Sequence, residues 1–497
     1  MTKNTKPTNN IIAVLLIGLT STLVAYLFYP DFLGDDTFIH IGFIKDLTNS
    51  EEFSFAGTRT YGSTSPLWVL MGAALSRIFF SPELSIRLLS FLFSFLTIFL
   101  AYKTLVSFNL APKIIYVSVF SLALNPFFLR WALTGMEVSC SMSVFLVIYL
   151  VAKSEKEFAP YLIGILFALA MLIRPEFLGF FIIYILYQFF QTKSERKECL
   201  VVLPVTLILI SCWILFTYIY FGTIAPNTYV SKAGGGIFGF TFYNAIRSLK
   251  LLAGGNLSEF ILLSALMLLI VYFIFKDKTK AVRQTKDYLR LLNGSGLVLP
   301  ILWIAGFYLF YIFKDVTIIS RYSLMLVPFL IFFTAFTINY FSKQISERAI
   351  TFLLILYLAF SLFGYGYVTF TIVKPASDDF VVGFQTTYNE LAKIIKEDSE
   401  NKNVSVALTD VGIIGCYSGS KVYDFAGLVD RSRFDYDSSS EYLIAKKPDY
   451  LILREEYQFN ELLPNDVEYE ILFNKKIAGF GINHSAPRFI TLYKIFW

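Results

Sequence analysis

Apolar runs long enough to cross a bilayer constrain this chain more than any other feature. Only 16% of its 497 residues are charged and 56% are hydrophobic, whereas a soluble domain is usually about 25% charged. A membrane helix needs roughly 20 residues to cross a ~30 Å hydrocarbon core. Predicted spans are 11–29, 86–107, 113–129, 136–152, 159–173, 176–190, 200–221, 257–275, 295–313, 322–341 and 349–371. The sequence therefore predicts an α-helical polytopic membrane protein with about eleven transmembrane helices.

The remaining composition argues against other classes of protein. The first apolar run is too long for a signal-peptide core and is followed by no small-residue cleavage site, so we interpret it as a retained span. Four scattered cysteines and two histidines have no metal-ligand or disulfide spacing. The net charge of +5 is better explained by cytoplasmic loops than by a nucleic-acid surface, and no nucleic-acid partner is expected.

Lysine and arginine predict the orientation of the chain. They are concentrated in alternate loops, most densely in "KDKTKAVRQTKDYLR" at 276–290, and the positive-inside rule places such loops in the cytoplasm. The other loops, 30–85, 130–135, 173–176, 222–256 and 314–321, then lie outside. This scheme requires the short apolar segment 66–80, which Arg77 interrupts, to be a re-entrant or interfacial helix.

The composition changes after Lys374 and Pro375, where charges become dense. Residues 384–398 have an amphipathic helical pattern, and strands are predicted at 404–408, 421–425, 449–453 and 488–496. We therefore expect a transmembrane domain over 1–375 and an extracytoplasmic α/β domain over 376–497. The loop "LTDVGIIGCYSG", which contains Asp410, follows a strand; it could cup a sugar or a phosphate, or be an ordinary strand–turn–helix connection.

Two adjacent acids, Asp35 and Asp36, lie in the first external loop. A carboxylate beside a low-dielectric interface is costly unless it is paired or used. An aspartate there could act as general base towards an acceptor hydroxyl. Alternatively, Asp36 is a solvated helix boundary or caps the following helix.

Four external cations are candidate ligands for a phosphate leaving group: Arg59, Arg174, Lys232 and Arg321. A guanidinium fork suits such a group, although each could instead anchor the chain at the interface. Arg174 lies between two short apolar runs, which favours a specific role. Glu137 in "TGME" could pair with one of these cations or be favoured by a helix N-terminus.

Five of these segments occur in the order found in a known family. "GDDTFIHIGFIKDL", "GTRTYGSTSPLW", "TGME", "RPE" and "FGTIAPNTYVSK" resemble the serial motifs of GT-C superfamily membrane glycosyltransferases. The branch with actinobacterial cell-wall arabinofuranosyltransferases is particularly similar, and residues 410–430 resemble its external C-terminal domain. His40 and the "STSP" at 63–66 depart from the pattern of relatives, which puts the acceptor in doubt.

The resemblance implies a site on the outer face that inverts the sugar in a single displacement. The donor is a polyprenyl-phosphate-linked sugar in the lipid bilayer, and the acceptor is a glycan or other envelope component. The catalytic acid maps onto Asp35 or Asp36, and the first acid of the pair, Asp35, is the expected base. No cofactor is implied with certainty, and a divalent cation is left open. Residues expected to bind substrate are His40, Tyr61, Ser65, Glu137, Glu176, Asn227 and Asp410.

Two other functions would suit a polytopic chain. A transporter usually has inverted repeats and matching broken helices, and neither is found in the sequence. A non-catalytic envelope-assembly protein with the same fold would not need both aspartates. We therefore expect a glycosyltransferase in the bacterial cytoplasmic membrane, with the C-terminal domain outside.

Overall fold

The computed structural model describes residues 11–232, 241–276, 278–314, 318–343, 345–400, 403–464, 466–477 and 488–497. Within these ranges the side chains of 193–195, 232, 266–274 and 276–281 lie outside the description. The described chain is mostly helical.

The helices run in chain order as follows: α1 (Ile11–Phe28), α2 (Asp35–Asn49), α3 (Pro66–Phe79), α4 (Pro82–Ser107), α5 (Pro112–Ala123), α6 (Pro126–Trp131), α7 (Val138–Ala152), α8 (Ala159–Ile173), α9 (Phe177–Phe189), α10 (Lys193–Phe221), α11 (Asn227–Lys232), α12 (Phe242–Gly255), α13 (Leu257–Lys276), α14 (Lys278–Ser295), α15 (Val298–Phe313), α16 (Ser320–Ser323), α17 (Val327–Ser342), α18 (Glu347–Val368), α19 (Lys374–Asp379), α20 (Thr386–Asp398), α21 (Val411–Tyr417), α22 (Ser439–Lys446) and α23 (Phe459–Leu462). The strands are β1 (Ser54–Phe55), β2 (Thr58–Arg59), β3 (Ser405–Leu408), β4 (Lys421–Asp424), β5 (Tyr450–Arg454), β6 (Glu468–Ile477) and β7 (Arg488–Phe496).

The helices are those of a multi-pass membrane protein. Among the described residues, five helical stretches are long and apolar enough to span, and a bent pair, 282–295 with 298–313, makes up to six. Their outward side chains include large exposed apolar groups such as Leu200, Ile208 and Phe363, as contact with lipid requires. The predicted number of eleven spans is not confirmed, because several predicted runs form apolar helices of only 12–15 residues.

Two predicted spans have different boundaries in the structure. The run 113–129 divides at Asn125, whose side chain accepts from the N–H groups of Phe127 and Phe128 and so begins α6. The run 349–371 does not end there, because helical structure continues from Glu347 to Asp398. This helix passes Pro375 through a π-helical segment, Thr369–Val373, which accommodates the missing proline donor.

The C-terminal part contains a five-stranded mixed sheet in the order β4-β3-β5-β7-β6. β3 pairs in parallel with β4 and β5, whereas β7 is antiparallel to β5 and β6. Strands appear where the sequence predicts them, at β3, β4, β5 and β7. The edge strand β6 is additional to the prediction, as is the short hairpin β1–β2.

The sheet domain packs directly on the first loop of the membrane part. The thiol of Cys416 in α21 donates to the carbonyl of Phe38 in α2 at 2.8 Å, and Lys45 Nζ donates to the carbonyl of Cys416 at 2.9 Å. The hydroxyl of Ser231 donates to the carbonyl of Ala426 at 2.9 Å. Buried residues of both parts form one continuous core, which fixes α21 against α2.

Candidate active site

Asp35 is the first residue of α2, next to the sheet domain. The helix begins after Gly34, so both aspartates lie in its first turn, where the helix dipole favours negative charge. Asp35 Oδ1 is shielded from solvent, and no described group hydrogen-bonds to it. Burial raises the pKa of Asp35 well above its ordinary value, and the negative charges of Asp410 and Asp36 raise it further. A carboxyl group whose shielded oxygen has no donor has the high proton affinity that a general base needs.

Asp36 forms an ion pair instead of capping the helix. Its Oδ2 lies 2.5 Å from Arg321 Nη2, and the Arg321 guanidinium also lies over the ring of Tyr322 at 5.2 Å. The Arg321 side chain is 13% exposed and that of Asp36 38%, so this pair lies at the rim of the site. Arg321 comes from the start of the α16–α17 segment, and the structure therefore joins the first loop to a segment nearly 300 residues away.

Four residues from three predicted motifs form a buried charge network behind this rim. Arg174 Nη1 donates to Glu137 Oε1 at 3.1 Å, and Arg174 Nη2 donates to Glu176 Oε1 at 2.9 Å. His40 Nε2 lies 3.4 Å from the second oxygen of Glu137. Burial opposes the charge of Arg174, but Glu176 and Glu137 raise its pKa above the ordinary value. From the sequence, Arg174 is expected to contact a phosphate, and Glu137 is expected to pair with a cation or to interact with a helix dipole. In the structure these two residues pair with each other.

Arg130 is a functional candidate that the sequence analysis did not select. It is 8% exposed, and its guanidinium lies over the rings of Phe32 at 4.6 Å and Trp131 at 5.2 Å. No described carboxylate forms an ion pair with it, and its Nε lacks a described hydrogen-bond partner. Burial, together with repulsion from Arg321, lowers the pKa of Arg130 to about 10, so the group remains charged at neutral pH. The signal in the sequence is an arginine within the apolar "NPFFLRW", just before "TGME".

A second group of predicted residues links the loop after β2 to the start of α11. The N–H of Asn227 donates to the carbonyl of Tyr61 at 2.9 Å, and its side-chain amide donates to Thr60 Oγ1 at 2.8 Å. The hydroxyl of Tyr61 accepts from Trp213 Nε1 at 3.0 Å. Ser65 is buried at the start of α3. These contacts hold the segments in place, while Asn227 Oδ1 is buried without a described partner.

Arg59 and Lys232, which are also predicted phosphate ligands, have no described contact with the groups around Asp35. Arg59 pairs with Glu52 at 2.7 Å, both side chains are about half exposed, and the guanidinium lies over the ring of Tyr220. Lys232 ends α11, and its side chain lies outside the described residues. Arg59 therefore has the contacts of a surface ion pair.

Asp410 comes from the sheet domain and lies beside Asp35. It follows β3 and precedes α21, as the sequence predicts for a strand–turn–helix connection. Its Oδ2 accepts from the Tyr388 hydroxyl at 2.7 Å, and its Oδ1 accepts from Arg454 Nη1 at 3.4 Å. Burial raises the pKa of Asp410, while Arg454 and Tyr388 oppose that shift. In the part of the chain that the structure describes, no three of these or other acids, histidines or cysteines are grouped as metal ligands.

Comparisons by sequence give two partial family matches. Residues 63–220 match the family described as dolichyl-phosphate-mannose-protein mannosyltransferase. Residues 381–493 match a domain of unknown function, DUF8728, which corresponds to the end of the long helix together with the sheet domain. No curated protein matches the chain by sequence.

Solved structures share the fold over nearly the whole chain. The crystal structure of ArnT from Cupriavidus metallidurans bound to undecaprenyl phosphate matches with a TM-score of 0.56 and 10% identity, covering 97% of each chain. The Archaeoglobus fulgidus oligosaccharyltransferase tethered to an acceptor peptide matches with a TM-score of 0.54 and 12% identity, over 90% of this chain and 70% of that one. The mycobacterial arabinofuranosyltransferase AftD reaches a TM-score of 0.48 at 12% identity, over 97% of this chain and 40% of that one.

ArnT and the oligosaccharyltransferase are GT-C glycosyltransferases, so the predicted GT-C fold is confirmed. The mannosyltransferase family match falls within the same fold, across α3 to α10. Together these findings support the prediction of a membrane glycosyltransferase.

Proposed function

We propose that this chain is an inverting glycosyltransferase that moves a sugar from a polyprenyl-phosphate donor to a glycan or other envelope acceptor. The proposed location is the outer face of the bacterial cytoplasmic membrane, with the sheet domain also outside. The observation that carries the proposal is a carboxyl oxygen without a hydrogen-bond donor beside a buried arginine without a carboxylate. The oxygen is Asp35 Oδ1, and the arginine is Arg130, whose Nε has no described hydrogen-bond partner.

The two groups belong to one site because their neighbours are in contact. Phe32, three residues before Asp35, lies beneath the Arg130 guanidinium. Trp131 Nε1 donates to Ser320 Oγ at 3.0 Å, and the next residue, Arg321, pairs with Asp36. The proposed base and two cations therefore lie on segments that are in contact at the start of α2.

In the proposed reaction, Asp35 takes the proton of an acceptor hydroxyl while that oxygen attacks the anomeric carbon of the donor sugar. The new carbon–oxygen bond forms on the face opposite the phosphate, so the configuration inverts. The bond between the sugar and the phosphate oxygen breaks, and its electron pair leaves with the polyprenyl phosphate. Arg321 and Arg130 stabilise that leaving group by charge and by guanidinium donors.

The remaining predicted residues have supporting roles in this proposal. Arg174, Glu137 and Glu176 form a rigid network that holds His40 and the start of α2. Asn227 and Tyr61 hold the outer loops together, and Asn227 offers its unpartnered oxygen to a substrate hydroxyl. Arg59 and Lys232, which the motifs also suggest as phosphate ligands, would contact the donor only at the edge of the site.

The test is transfer by the purified full-length protein from a panel of polyprenyl-phosphate sugars. Asp35→Asn keeps the size of the side chain but cannot accept the proton, so turnover should fall by ~10²–10⁴-fold while polyprenyl-phosphate binding is retained. The matched control is Asp31→Asn, an exposed aspartate four residues earlier, which should transfer like wild type. Wild-type protein that uses no donor in the panel would favour a transporter or a non-catalytic assembly protein. Full activity of Asp35→Asn would remove Asp35 from the mechanism.

A further inference from the structure

The sheet domain makes a contact with Asp35 that leaves no room for any side chain. Gly412, the second residue of α21, faces the start of α2. A Cβ atom at this position would lie 2.9 Å from the carbonyl oxygen of Asp35, 3.0 Å from its Oδ1 and 3.0 Å from Phe38 Cβ. Two of these three neighbouring atoms belong to Asp35, and one of those two is its backbone carbonyl oxygen. Because a backbone atom cannot rotate away as a flexible side chain can, this oxygen could not easily move aside.

The contact is held in place from both sides. Cys416 and Lys45 tie α21 to α2 along its length, through hydrogen bonds of 2.8 Å and 2.9 Å. Gly42 and Gly415 both face the ring of Phe55, which lies between the two helices. The sheet domain therefore cannot shift at Gly412 without breaking this packing.

Asp410 brings a fixed negative charge to the same place. Tyr388 and Arg454 both donate to its carboxylate, whereas Oδ1 of Asp35 has no described donor. Because these two donors oppose the effect of burial on Asp410, whereas burial and both neighbouring acids raise the pKa of Asp35, Asp35 is the member of the pair with the higher proton affinity.

We propose that the sheet domain completes the active site of the proposed glycosyltransferase: Gly412 sets the position of the Asp35 carboxyl group, and Asp410 strengthens it as a base. Asp410 is then a positioning residue that acts through Asp35 and does not itself contact the reacting atoms. This inference rests on the proposed function and replaces the direct contact with substrate that the sequence suggests for Asp410.

The charged groups around Asp35 have opposite effects, so the sign of the expected change is definite. Asp36 and Asp410 favour the protonated form of Asp35, whereas Arg321 and Arg454 favour the ionised form. Removing the charge of Asp410 by Asp410→Asn leaves the two cations and one acid. The acid limb of the pH–rate profile should then move to lower pH, by about one unit. Asp437→Asn, an exposed aspartate of the same domain, should leave the profile unchanged.

Gly412→Ala tests the contact without altering any charge. Displacing the base by a fraction of an ångström to 1 Å should lower turnover by about 100-fold, with polyprenyl-phosphate affinity retained. Gly366→Ala is the matched control, because a Cβ there meets nothing within 4 Å. Turnover by Gly412→Ala equal to that of the control would overturn the role of Gly412, and this variant remains informative if Asp410→Asn does not fold.

A measurement without substrate separates this inference from the proposed function. The protonated carboxyl stretch of Asp35, assigned by infrared difference against Asp35→Asn, gives its titration directly. In Asp410→Asn this titration should move to lower pH. If it does so while wild-type protein transfers no sugar, the proposed function alone fails. An unchanged titration in folded Asp410→Asn overturns the role of Asp410, whatever the enzyme transfers.

Discussion

Replacing Arg174 by Lys should destabilise the protein more than it weakens donor binding. Arg174 contacts two carboxylates with separate nitrogens, Glu137 at 3.1 Å and Glu176 at 2.9 Å. The three side chains are only 4%, 6% and 13% exposed. A lysine ammonium carries the same charge at a single atom and cannot reproduce the planar fork. One carboxylate would therefore lose its charged donor inside the protein.

The size of the effect follows from this burial. A hydrogen bond to a charged group contributes about 1.5–3 kcal/mol, and breaking a buried pair by removing one partner costs about 3–5 kcal/mol. Because lysine retains one of the two pairs, we expect the free energy of unfolding to fall by about 3 kcal/mol. Arg59→Lys is the matched control, because its 2.7 Å pair with Glu52 is 50% and 45% exposed and such an exposed pair contributes little to stability.

The assay is unfolding in detergent micelles by denaturing-surfactant titration, followed by tryptophan fluorescence, with polyprenyl-phosphate affinity measured on the same samples. The expected result is a clear loss of stability for Arg174→Lys relative to Arg59→Lys, with affinity changed by less than about threefold. The opposite pattern, a large loss of affinity at wild-type stability, would refute this reasoning. It would return Arg174 to the phosphate-binding role that the motif suggests.

Three further results are expected. Transfer should be lost on acidification at a pH above the ordinary aspartate pKa of about 3.9, because Asp35 must be ionised to accept a proton and its pKa is raised. An acid limb of the pH–rate profile at the ordinary aspartate value would contradict this. Arg130→Gln should weaken polyprenyl-phosphate binding by about tenfold or more. The protein should not lose stability, since the change removes a buried charge that has no described counter-ion. Unchanged affinity would argue against Arg130 as a ligand. Finally, a cysteine is placed at the exposed position Arg431 in a chain without native cysteines. It should react with a membrane-impermeant thiol reagent in cells whose inner membrane is intact. Reaction only after lysis would reverse the proposed topology.

The elements predicted best are those with a strong local signal. β5 and β7 follow from apolar and β-branched runs, and Asp410 ends a strand where small residues begin a helix. β6 was not predicted because "EYEILFNKKI" carries charges on both faces; as an edge strand it is exposed along most of its length, and its burial pattern does not alternate. The last span was predicted to end at residue 371, where the apolar run ends. No local signal foretells the π-helical segment through which the helix continues past Pro375.

The site was predictable as a set of motifs but not as a set of pairs. The sequence indicates that Asp36, Glu137, Arg174 and Arg321 matter, since charges at a membrane boundary are costly. Which carboxylate pairs with which arginine depends on contacts between residues that are far apart in the sequence. Glu137 and Arg174 are 37 residues apart, and Asp36 and Arg321 are separated by more than half of the chain. Arg130 was missed because an arginine beside aromatic residues resembles an interface anchor, and only its burial without a carboxylate indicates otherwise.

The balance of charge bears on the donor. Within the described chain, Asp36 pairs with Arg321, Glu137 and Glu176 share Arg174, and Asp410 pairs with Arg454. The buried cation left without a carboxylate among these is Arg130. A sugar joined to a lipid through one phosphate is a phosphodiester with a single negative charge, which this one guanidinium can neutralise, whereas a diphosphate-linked donor would bring additional charge that needs a further cation or a metal ion. The neutral acceptor hydroxyl in turn suits a base such as Asp35, whose Oδ1 has no described hydrogen-bond donor. Asp35 and Arg130 are therefore groups of the two kinds that a single displacement from a lipid monophosphate requires, a base for the acceptor hydroxyl and a cation for the phosphate.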